Sequence, residues 1–332
     1  MFYNLDCVEG ARNHLPDASV DLIVTDPPYG IGGDGLHKHY NRKEEFVLDG
    51  YIEVPQAEYY EFTYNWVKEA ERVLKPGGSM YIVSGYTNLI HILNALAQTR
   101  LQEVNHIIWK YNFGVYTKNK YISSHYHILY YVKPGAKPTF NTFSRFSDAE
   151  KDDKSNGSLN YQDREDVWII NREYKPGQVK NKNELPTQLL SKIIQYSSNE
   201  GDLVCDFFLG SFSTAKVAKG LNRQSCGFEK SQIAFAYQHQ EIEKIELGSL
   251  LNGLRMPPAN KYFSQGKPIA DRERNDIRHR YDDLKKSGIS KKKIMEQLGH
   301  ETGRGPWSLG KIISKNGIEE KTIKDRPSPL FD

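Results

Sequence analysis

The sequence predicts an α/β protein with a doubly wound, mostly parallel β-sheet, followed by a small helical region at the carboxyl end. Apolar strand candidates alternate with segments of helical periodicity through most of the first 245 residues. Helices of this length between strands are typical of parallel sheets, whose strands need long crossover connections. After residue 260 the sequence is charged and helical, with no strand signal.

The first half of the chain supplies four internal strand candidates and two helices. The amino-terminal stretch MFYNLDCVEG is itself strand-like. The four strands are expected at DLIVTD (21–26), SMYIVSG (79–85), HIIWKY (106–111) and HILYYV (127–132). Apolar residues from Tyr59 to Leu74 recur at i, i+3, i+4 and i+7, which predicts an amphipathic helix stopped by KPGG at 75–78. A second helix is expected over about 87–98.

The second half resumes the alternation after a polar stretch. Residues 134–183 contain KPGAKP and KDDKSNGS, and we interpret them as loops or an inserted recognition segment outside the core. The elements expected next are helix TQLLSKIIQY (187–196), strand LVCDFF (203–208), helix TAKVAKGL (214–221), strand SCGFE (225–229) and helix SQIAFAYQHQEIEKI (231–245).

Composition excludes several classes of protein. With 38% hydrophobic and 26% charged residues the chain has the composition of a globular protein. It has no apolar run long enough for a membrane span and no signal-peptide pattern, so the expected location is the cytoplasm, with no membrane partner. The three cysteines are scattered, without the spacing of a disulfide framework or a zinc site, so no metal is expected.

The carboxyl-terminal region carries most of the positive charge. Residues 255–332 contain 18 Lys and Arg against 11 Asp and Glu, whereas residues 1–254 have a small acidic excess. This balance favours a polyanionic partner, although a solvated helical surface fits equally well. After a linker at MPPAN (256–260), a helix start at Ser287 to Ser290, a glycine stop and a second helix from about Pro306 are similar to a helix-turn-helix. An ordinary helical hairpin is the alternative.

Two segments carry the chemistry. In TDPPYG (25–30), Pro27 and Pro28 stiffen the chain where it leaves a buried strand, and Asp26 and Tyr29 flank the stiff point. In the segment 203–229, a strand ends at Asp206 and a turn of small residues leads into a helix, which predicts a cradle for a nucleotide-like ligand. The next strand ends at Glu229, where an acid can accept hydrogen bonds from ribose hydroxyls.

Read together, these segments resemble the amino-methyltransferases of DNA, whose signature is a [DNS]PP[YFW] catalytic loop and an FxGxG-type S-adenosylmethionine turn. The catalytic segment precedes the cofactor turn, as in the permuted β group of that family. The resemblance covers residues 1 to about 245. It implies a Rossmann-like sheet of seven strands with one antiparallel edge strand. It also implies a methyltransferase domain at 1–254 with a target-recognition segment at 134–183. The basic region at 261–332, which is similar to a helix-turn-helix, is expected to be a DNA-binding extension.

The resemblance gives each catalytic residue a role. Asp26 and the main-chain carbonyl of Pro27 would each accept an N–H bond from an exocyclic base amine, and Pro28 helps to hold them in place. Because that amine is buried in a duplex, the base has to be flipped out, and Tyr29 offers a ring on which it can stack. The methyl donor would be S-adenosylmethionine, which requires no metal.

The cofactor site is implied position by position. Asp6 and Cys7 would meet the adenine ring, Asp206 the methionine amino group and Glu229 the ribose, although Asp6 could instead cap a turn and Cys7 fill the core. The full set implied to bind the cofactor is Asp6, Cys7, Asp26, Asn183, Leu185, Asp206, Phe207, Phe208, Leu209, Gly210, Ser211, Ser213, Glu229 and Lys230.

Three departures from the family pattern matter. Phe212 stands where the turn usually has a second glycine, so it is strained if φ is positive there, or else its side chain points outward. Asn183 and Leu185 replace residues of a run that the family uses near the cofactor. Asp26, rather than serine, at the head of the motif favours adenine N6 over cytosine N4.

The expected substrate is double-stranded DNA, methylated at a specific site. The loop 31–46, with its histidines, lysines and arginine, could contact phosphates near the flipped base. Trp109 and Tyr111 would either enclose that base or pack in the core. A homodimer and a cognate restriction endonuclease are left open as partners. The alternative functions are a cytosine-N4 methyltransferase and a non-catalytic DNA-binding protein on the same fold.

Overall fold

The computed structural model describes residues 1–29, 54–112, 114, 116, 118–141, 165–173, 184–251 and 269–314. The chain divides into two compact units, Met1–Arg255 and Met256–Asp332. Each unit is described by itself below. No helix in these described ranges is long and apolar enough to cross a membrane.

The first unit is built on one eight-stranded sheet. Its strands are β1 (Phe2–Tyr3), β2 (Val20–Thr25), β3 (Leu74–Ser84), β4 (Gln102–Lys110), β5 (His125–Val132), β6 (Val167–Ile169), β7 (Leu203–Asp206) and β8 (Gln224–Phe228). They lie in the order β1-β8-β7-β2-β3-β5-β4-β6. β5 runs antiparallel to both its neighbours, whereas every other pairing is parallel. The predicted α/β class with a mostly parallel sheet is therefore confirmed.

Two details of the implied sheet are wrong. The sheet has eight strands instead of seven, because the very short β1 and β6 add a pairing at each edge. The antiparallel strand lies inside the sheet instead of at an edge. β5 pairs along its whole length with β3 on one side and β4 on the other, from Ser79↔Val132 to Ser84↔His127 and from Gln102↔Val132 to Lys110↔His125. The parallel strand β6 then covers the outer side of β4.

Helices cover both faces of the sheet, as the doubly wound prediction requires. They are α1 (Cys7–His14), α2 (Tyr59–Val73), α3 (Leu89–Leu96), α4 (Thr187–Ser197), α5 (Ser213–Gly220) and α6 (Gln232–Glu243). Buried residues of α1, α2 and α3 share one apolar core with one face of the sheet. Buried residues of α4 and α5 share a second core with the opposite face. All helices predicted in this unit are present, and α1 is an additional one that the sequence patterns did not reveal.

The polar segment 134–183 is not entirely outside the core, which corrects the sequence interpretation. Within it, β6 pairs in parallel with β4, joining Trp109 to Trp168. Trp168 and Ile170 are buried in the second core, and the Trp109 indole donates a hydrogen bond to the Ile170 carbonyl at 2.8 Å. A three-residue strand among polar neighbours is too short to leave a periodic signal.

The second unit contains three helices in its described part, α7 (Asp271–Lys286), α8 (Lys291–Thr302) and α9 (Pro306–Ile313). Six residues form its apolar core: Ile277, Leu284, Ile294, Leu298, Leu309 and Ile312. The predicted helix after Ser290 and the predicted second helix from Pro306 are confirmed. The linker and both ends of this region lie outside the described residues.

Candidate functional site

The site lies at the carboxyl edge of the sheet, where the parallel strands β2, β7 and β8 end side by side. β2 pairs with β7 through Ile23↔Cys205, and β7 pairs with β8 through Asp206↔Gly227. The acids that follow these strands, Asp26 and Glu229, therefore lie on either side of Asp206. The Thr25 hydroxyl donates a hydrogen bond to Asp206 Oδ1 at 3.0 Å, and this bond joins the two segments that the sequence singled out.

The loop after β2 is held by bonds to its main-chain carbonyls as well as by its prolines. The Tyr59 hydroxyl donates to the Pro28 carbonyl at 2.8 Å, and Asn88 Nδ2 donates to the Tyr29 carbonyl at 2.5 Å. The Tyr29 hydroxyl donates to Asp26 Oδ1 at 2.6 Å. Pro27 is buried, whereas its neighbours in the motif are partly exposed. These contacts leave the loop little freedom, which suits a part of the site that must be preorganised.

Asp26 is a carboxyl group with little access to solvent beside two charged groups, Asp206 and Arg172. Burial raises its pKa to about 7, although the hydrogen bond from Tyr29 opposes this shift. The neighbouring Asp206 raises the pKa further, and the positive charge of Arg172 lowers it. A perturbed acid in a strand-end cleft is a functional-site candidate on physical grounds. Its oxygens can act as acceptors for N–H groups near neutral pH.

An aromatic cluster lies beside the catalytic loop. The Tyr29 and Tyr126 rings are stacked with centroids 5.7 Å apart and an interplanar angle of 15°. Tyr126 also contacts Trp109 and Tyr111, at centroid distances of 5.5 and 5.4 Å. The Arg172 guanidinium lies over the Tyr111 and Tyr126 rings and donates to the Tyr126 hydroxyl at 3.0 Å. Such a cluster offers flat faces and a fixed cation next to Asp26.

Of the two roles considered for Trp109 and Tyr111, the structure shows packing in the core. Trp109 is 1% exposed and Tyr111 is 7% exposed. Their rings contact each other and the ring of Tyr126. The residues nearer to Tyr29 that sequence reasoning missed are Tyr59, Asn88, Tyr126 and Arg172. None of them belongs to a motif. Tyr126 and Arg172 reach the site only because β5 is reversed and β6 pairs with β4, which no local pattern reveals.

The cofactor turn begins with a buried acid. Asp206 is 5% exposed, and its Oδ1 accepts hydrogen bonds from Thr25 and from the Phe208 amide, each at 3.0 Å. Burial raises the pKa of Asp206 to about 7, against the lowering effects of the Phe208 amide and the Thr214 hydroxyl. A cation placed beside this group would restore its charge, so the acid is suited to an ammonium or sulfonium ligand.

Glu229 closes the other side of the turn. Its Oε2 accepts from the Gly210 amide at 2.9 Å and its Oε1 from the Ser231 amide at 2.7 Å. Burial raises the pKa of Glu229, and these amide bonds oppose the shift. Each carboxylate oxygen has a further lone pair. The arrangement therefore fixes the glycine turn and leaves the acid able to accept bonds from hydroxyl groups.

Phe212 adopts the strained conformation, and the outward alternative is wrong. Its φ is 58° and its ψ is 23°, which is the left-handed region. The side chain is fully buried, with ring centroids 5.1 Å from Phe2 and 5.9 Å from Phe235. Left-handed geometry costs a residue with a Cβ about 1–2 kcal/mol. The ring packs against Phe2 of β1 and Phe235 of α6, in a small apolar cluster that compensates for the strain.

Asp6 and Cys7 also show the structural roles considered for them, a helix cap and a core residue. Asp6 caps α1, accepting from the Val8 amide at 2.9 Å through Oδ1, while its Oδ2 lies 3.9 Å from Lys230 Nζ. Cys7 is buried in the first core, and burial raises the pKa of its thiol far above the ordinary range. Both residues begin the helix that follows β1, at the same edge as Glu229. Their cofactor roles stay predictions.

The remaining predicted cofactor residues differ in accessibility. Phe207, Leu209 and Leu185 are buried, and Leu185 packs in the second core. Ser211 and Ser213 bond to each other through their hydroxyls, and Ser213 also donates to Glu184 Oε1 at 3.3 Å. Phe208 is half-buried and packs edge-on against Trp66 at 5.5 Å. Asn183 and the loop 31–46 lie outside the described residues.

The chemistry of the donor set fits S-adenosylmethionine. Asp206 and Glu229 are carboxyl groups with raised pKa values, which suits a ligand with positive charges and ribose hydroxyls. Gly210, at φ 48°, and Gly227, where a Cβ would lie 2.3 Å from the Asp206 carbonyl oxygen, allow close approach of the backbone. Within the described ranges, no group of three His, Cys, Asp or Glu residues could hold a metal ion.

Comparisons with known proteins agree with this geometry. Residues 20–239 match the family model N6_N4_Mtase, described as DNA methylase. The chain is similar to the type II methyltransferase M.HpaI of Haemophilus parainfluenzae, with 32% identity over 248 residues, 73% of each protein. It is also similar to the DNA adenine methyltransferase YhdJ of Escherichia coli (strain K12), with 32% identity over 70% of this chain and 83% of that protein. Among solved structures, the M1.HpyAVI–SAM complex gives a TM-score of 0.50 at 21% identity, over 73% of this chain and 98% of that chain, which supports the fold alone.

Proposed function

This chain belongs to the N6/N4 DNA methylase family, and we propose that it transfers a methyl group from S-adenosylmethionine to adenine N6 at a specific site in duplex DNA. The observation that carries the proposal is the Thr25–Asp206 hydrogen bond, which holds an amine-accepting loop beside an acid-lined cradle for a cationic ligand. A base amine at Asp26 and a cationic methyl donor at Asp206 would lie next to each other.

The cradle would hold the cofactor through charge and hydroxyl recognition. Asp206 would accept hydrogen bonds from the methionine ammonium, and Glu229 from the ribose hydroxyls, with Gly210 fixed by Glu229. When bound, S-adenosylmethionine supplies a methyl group already activated by its sulfonium. Desolvation of Asp206 would strengthen its attraction to the ammonium, and desolvation of Glu229 would strengthen its hydrogen bonds with the hydroxyls.

The catalytic loop would prepare the nucleophile. An exocyclic amine is a poor nucleophile because its lone pair is delocalised into the ring. Asp26 and the Pro27 carbonyl would each accept one N–H bond, which favours a pyramidal nitrogen with its lone pair free to attack. The bonds from Tyr59 and Asn88 to this loop keep the acceptors in place during the reaction. A proton leaves the amine after methyl transfer, and the Asp26 carboxylate would be positioned to receive it.

Tyr29 would present the face on which the flipped base stacks. Tyr126 already covers one face of Tyr29, at a centroid separation too short to admit a base between the rings. The base would therefore occupy the other face. Arg172 fixes Tyr126 through its hydroxyl and in this way supports Tyr29 from behind.

The choice of adenine rests on Asp26 and on one relative. Aspartate at the head of the DPPY motif favours adenine, and YhdJ is named a DNA adenine methyltransferase. Cytosine N4 is the alternative, since the same acceptors suit either exocyclic amine.

A homodimer and a cognate restriction endonuclease stay predictions, and sedimentation of the purified protein tests the first.

The test is direct detection of the product. The purified protein is incubated with S-adenosylmethionine and genomic DNA from a host that lacks adenine and cytosine methylation, and the nucleosides are analysed by mass spectrometry. We expect N6-methyladenine. N4-methylcytosine without N6-methyladenine would contradict the base, and calorimetry that detects no binding of S-adenosylmethionine would contradict the enzyme reading.

A matched pair of variants tests the role of Asp26. Asp26→Ala is expected to lower kcat by about two to three orders of magnitude, the usual effect of losing one preorganised transition-state contact. Its affinity for DNA should change little. Asp17→Ala, which removes an exposed acid before the opposite end of β2, is the control and should keep full turnover. Turnover of Asp26→Ala equal to that of the control would remove Asp26 from the mechanism.

A further inference from the structure

Five exposed lysines gather where α7 meets α8 in the second unit. We call Lys285, Lys286, Lys291, Lys292 and Lys293 the lysine cluster. Among the residues that the structure describes, none of the five takes part in an ion pair. By contrast, Arg280 pairs with Glu301 at 3.1 Å, and Arg304 pairs with Glu273 at 2.9 Å. The unit therefore pairs two of its arginines with acids, whereas the lysine cluster has no acidic partner among the described residues.

The position of three of these lysines opposes local helix stability. α8 begins with Lys291, Lys292 and Lys293 and has no acid in its first turn. The amino end of a helix carries partial positive charge, so lysines there are unfavourable by a few tenths of a kcal/mol or more each. α7 shows the favourable arrangement, with Asp271 and Glu273 in its first turn and lysines in its last. A negatively charged partner would turn the cost at α8 into a gain.

The connection between α8 and α9 has the geometry of a helix-turn-helix. Only Gly303, Arg304 and Gly305 separate the two helices, and Gly303 ends α8 in the left-handed conformation at φ 64°. A three-residue turn containing glycine is typical of this motif. Apolar residues of both helices pack with those of α7 in one core.

α9 is anchored to α7 at both ends. At its start, Arg304 is 4% exposed and donates to Glu273 from both Nε, at 3.0 Å, and Nη2, at 2.9 Å. At its end, Arg278 Nε donates to the Ile312 carbonyl at 2.7 Å. These bonds hold the short helix in a fixed orientation, as a helix that reads a groove requires.

The outer face of α9 carries a large exposed aromatic residue. Trp307 is 74% exposed in the first turn, and Lys311 Nζ lies 3.8 Å from its ring centroid. Gly310 is also exposed, so the helix is slim on this side. In helix-turn-helix proteins the first residues of the second helix meet the bases, while the first helix crosses the backbone. Trp307 occupies the former position and the lysines at the start of α8 the latter.

We propose that the carboxyl-terminal unit is a second duplex-DNA-binding module, with the lysine cluster on the phosphates and the Trp307 face of α9 in the major groove. Duplex DNA fits better than an acidic protein surface, because the cluster lies at the start of the first helix of the motif, where phosphates are contacted. The module adds an interaction that the catalytic loop does not need for chemistry. Its role is to hold the enzyme on DNA.

The experiment measures binding of the full-length protein to a fluorescent duplex of about 30 base pairs by anisotropy, at several salt concentrations. In the test variant, Lys291, Lys292 and Lys293 are replaced by glutamine. If each contacts one phosphate, the slope of log Kobs against log salt loses about 0.9 per contact, so a decrease of about 2 to 3 is expected. We also expect Kd to rise at least tenfold near physiological salt, with kcat unchanged at saturating DNA.

Two control variants keep the result interpretable. Arg100→Gln, Lys137→Gln and Lys244→Gln together remove the same charge from exposed positions of the first unit, and should change the slope by less than 1. Replacing the three cluster lysines by arginine keeps the charge and should retain affinity.

Trp307→Ala tests the exposed face of α9 and should weaken binding several-fold without changing the slope. An equal loss of affinity in the glutamine variant and the first-unit control, or no loss in either, would overturn the proposal. Because binding is measured without methyl transfer, the result does not depend on the proposed reaction.

Discussion

Replacing Asp206 by asparagine is expected to stabilise the ligand-free protein at alkaline pH and to weaken cofactor binding. Asp206 is 5% exposed, and Oδ1 accepts hydrogen bonds from the Thr25 hydroxyl and the Phe208 amide. An asparagine oxygen can accept the same two bonds. The substitution therefore removes a buried charge while it keeps the local geometry.

The magnitude follows from the pKa of the carboxyl group. Burial raises the pKa of Asp206 from an ordinary 3.8 to about 7. A group whose pKa is higher in the folded chain favours folding fully below the unfolded pKa, and this contribution is lost as the pH rises through the folded pKa. At about 1.4 kcal/mol per pKa unit, the loss is about 1.7 kcal/mol at pH 5 and about 4 kcal/mol at pH 8. Asparagine does not titrate, so it avoids both losses.

Urea unfolding of both proteins at pH 5 and pH 8 measures this difference. The free energy of unfolding of Asp206→Asn, relative to the parent, should be about 2–3 kcal/mol higher at pH 8 than at pH 5. Calorimetry should show S-adenosylmethionine binding at least tenfold weaker. Asp17→Asn, at an exposed acid, is the control and should show no such pH dependence. A relative stability that is the same at both pH values would refute the reasoning about burial.

The remaining predictions concern the turn, the sheet and the catalytic acid. Phe212→Gly should destabilise the protein by about 2–3 kcal/mol in urea unfolding, because loss of a buried ring, about 3–5 kcal/mol, outweighs relief of left-handed strain; a more stable variant would contradict this. Gly227→Ala should lower the melting temperature, because its Cβ would lie 2.3 Å from the Asp206 carbonyl oxygen, whereas Gly310→Ala, with open space around it, should not; equal effects would count against the close approach. If ionised Asp26 is the acceptor, kcat/KM should rise with pH up to about 7 and level off above it; a flat profile from pH 6 to 8 would exclude this.

The elements with strong periodicity could be predicted from the sequence. The helix from Tyr59 was correct at its start and within one residue at its end, since apolar spacing and KPGG determine both. A strand was expected within MFYNLDCVEG, but only Phe2–Tyr3 forms β1, and a helix begins at Cys7. The three-residue β6 could not be found, because a triplet has no period. Strand direction is likewise invisible locally, since HILYYV has the same pattern in either direction. The connection from Lys110 to His125, which lacks helical periodicity, was a signal for the reversal.

The sequence could predict that the two acidic segments form one site, but not the residues that hold them in place. The resemblance to DNA amino-methyltransferases joined Asp26 and Asp206 in one site, and the Thr25–Asp206 bond shows that the two segments are neighbours. Tyr126 and Arg172 carry no motif, and their place depends on β5 and β6. For Phe212 the sequence raised the right question, but only the surrounding rings of Phe2 and Phe235 explain why the strain is tolerated.

The reversed strand β5 separates the sheet into two halves of different construction. Because β5 runs against its neighbours, the chain between β4 and β5 turns back at the catalytic edge instead of crossing to the far side. The half from β1 to β2, which carries Asp206 and Glu229, consists of parallel strands alone, and the half from β3 to β6 contains the reversal. Changes in the length or sequence of residues 111–124 can therefore alter what lies beside the catalytic loop while the acid cradle stays intact.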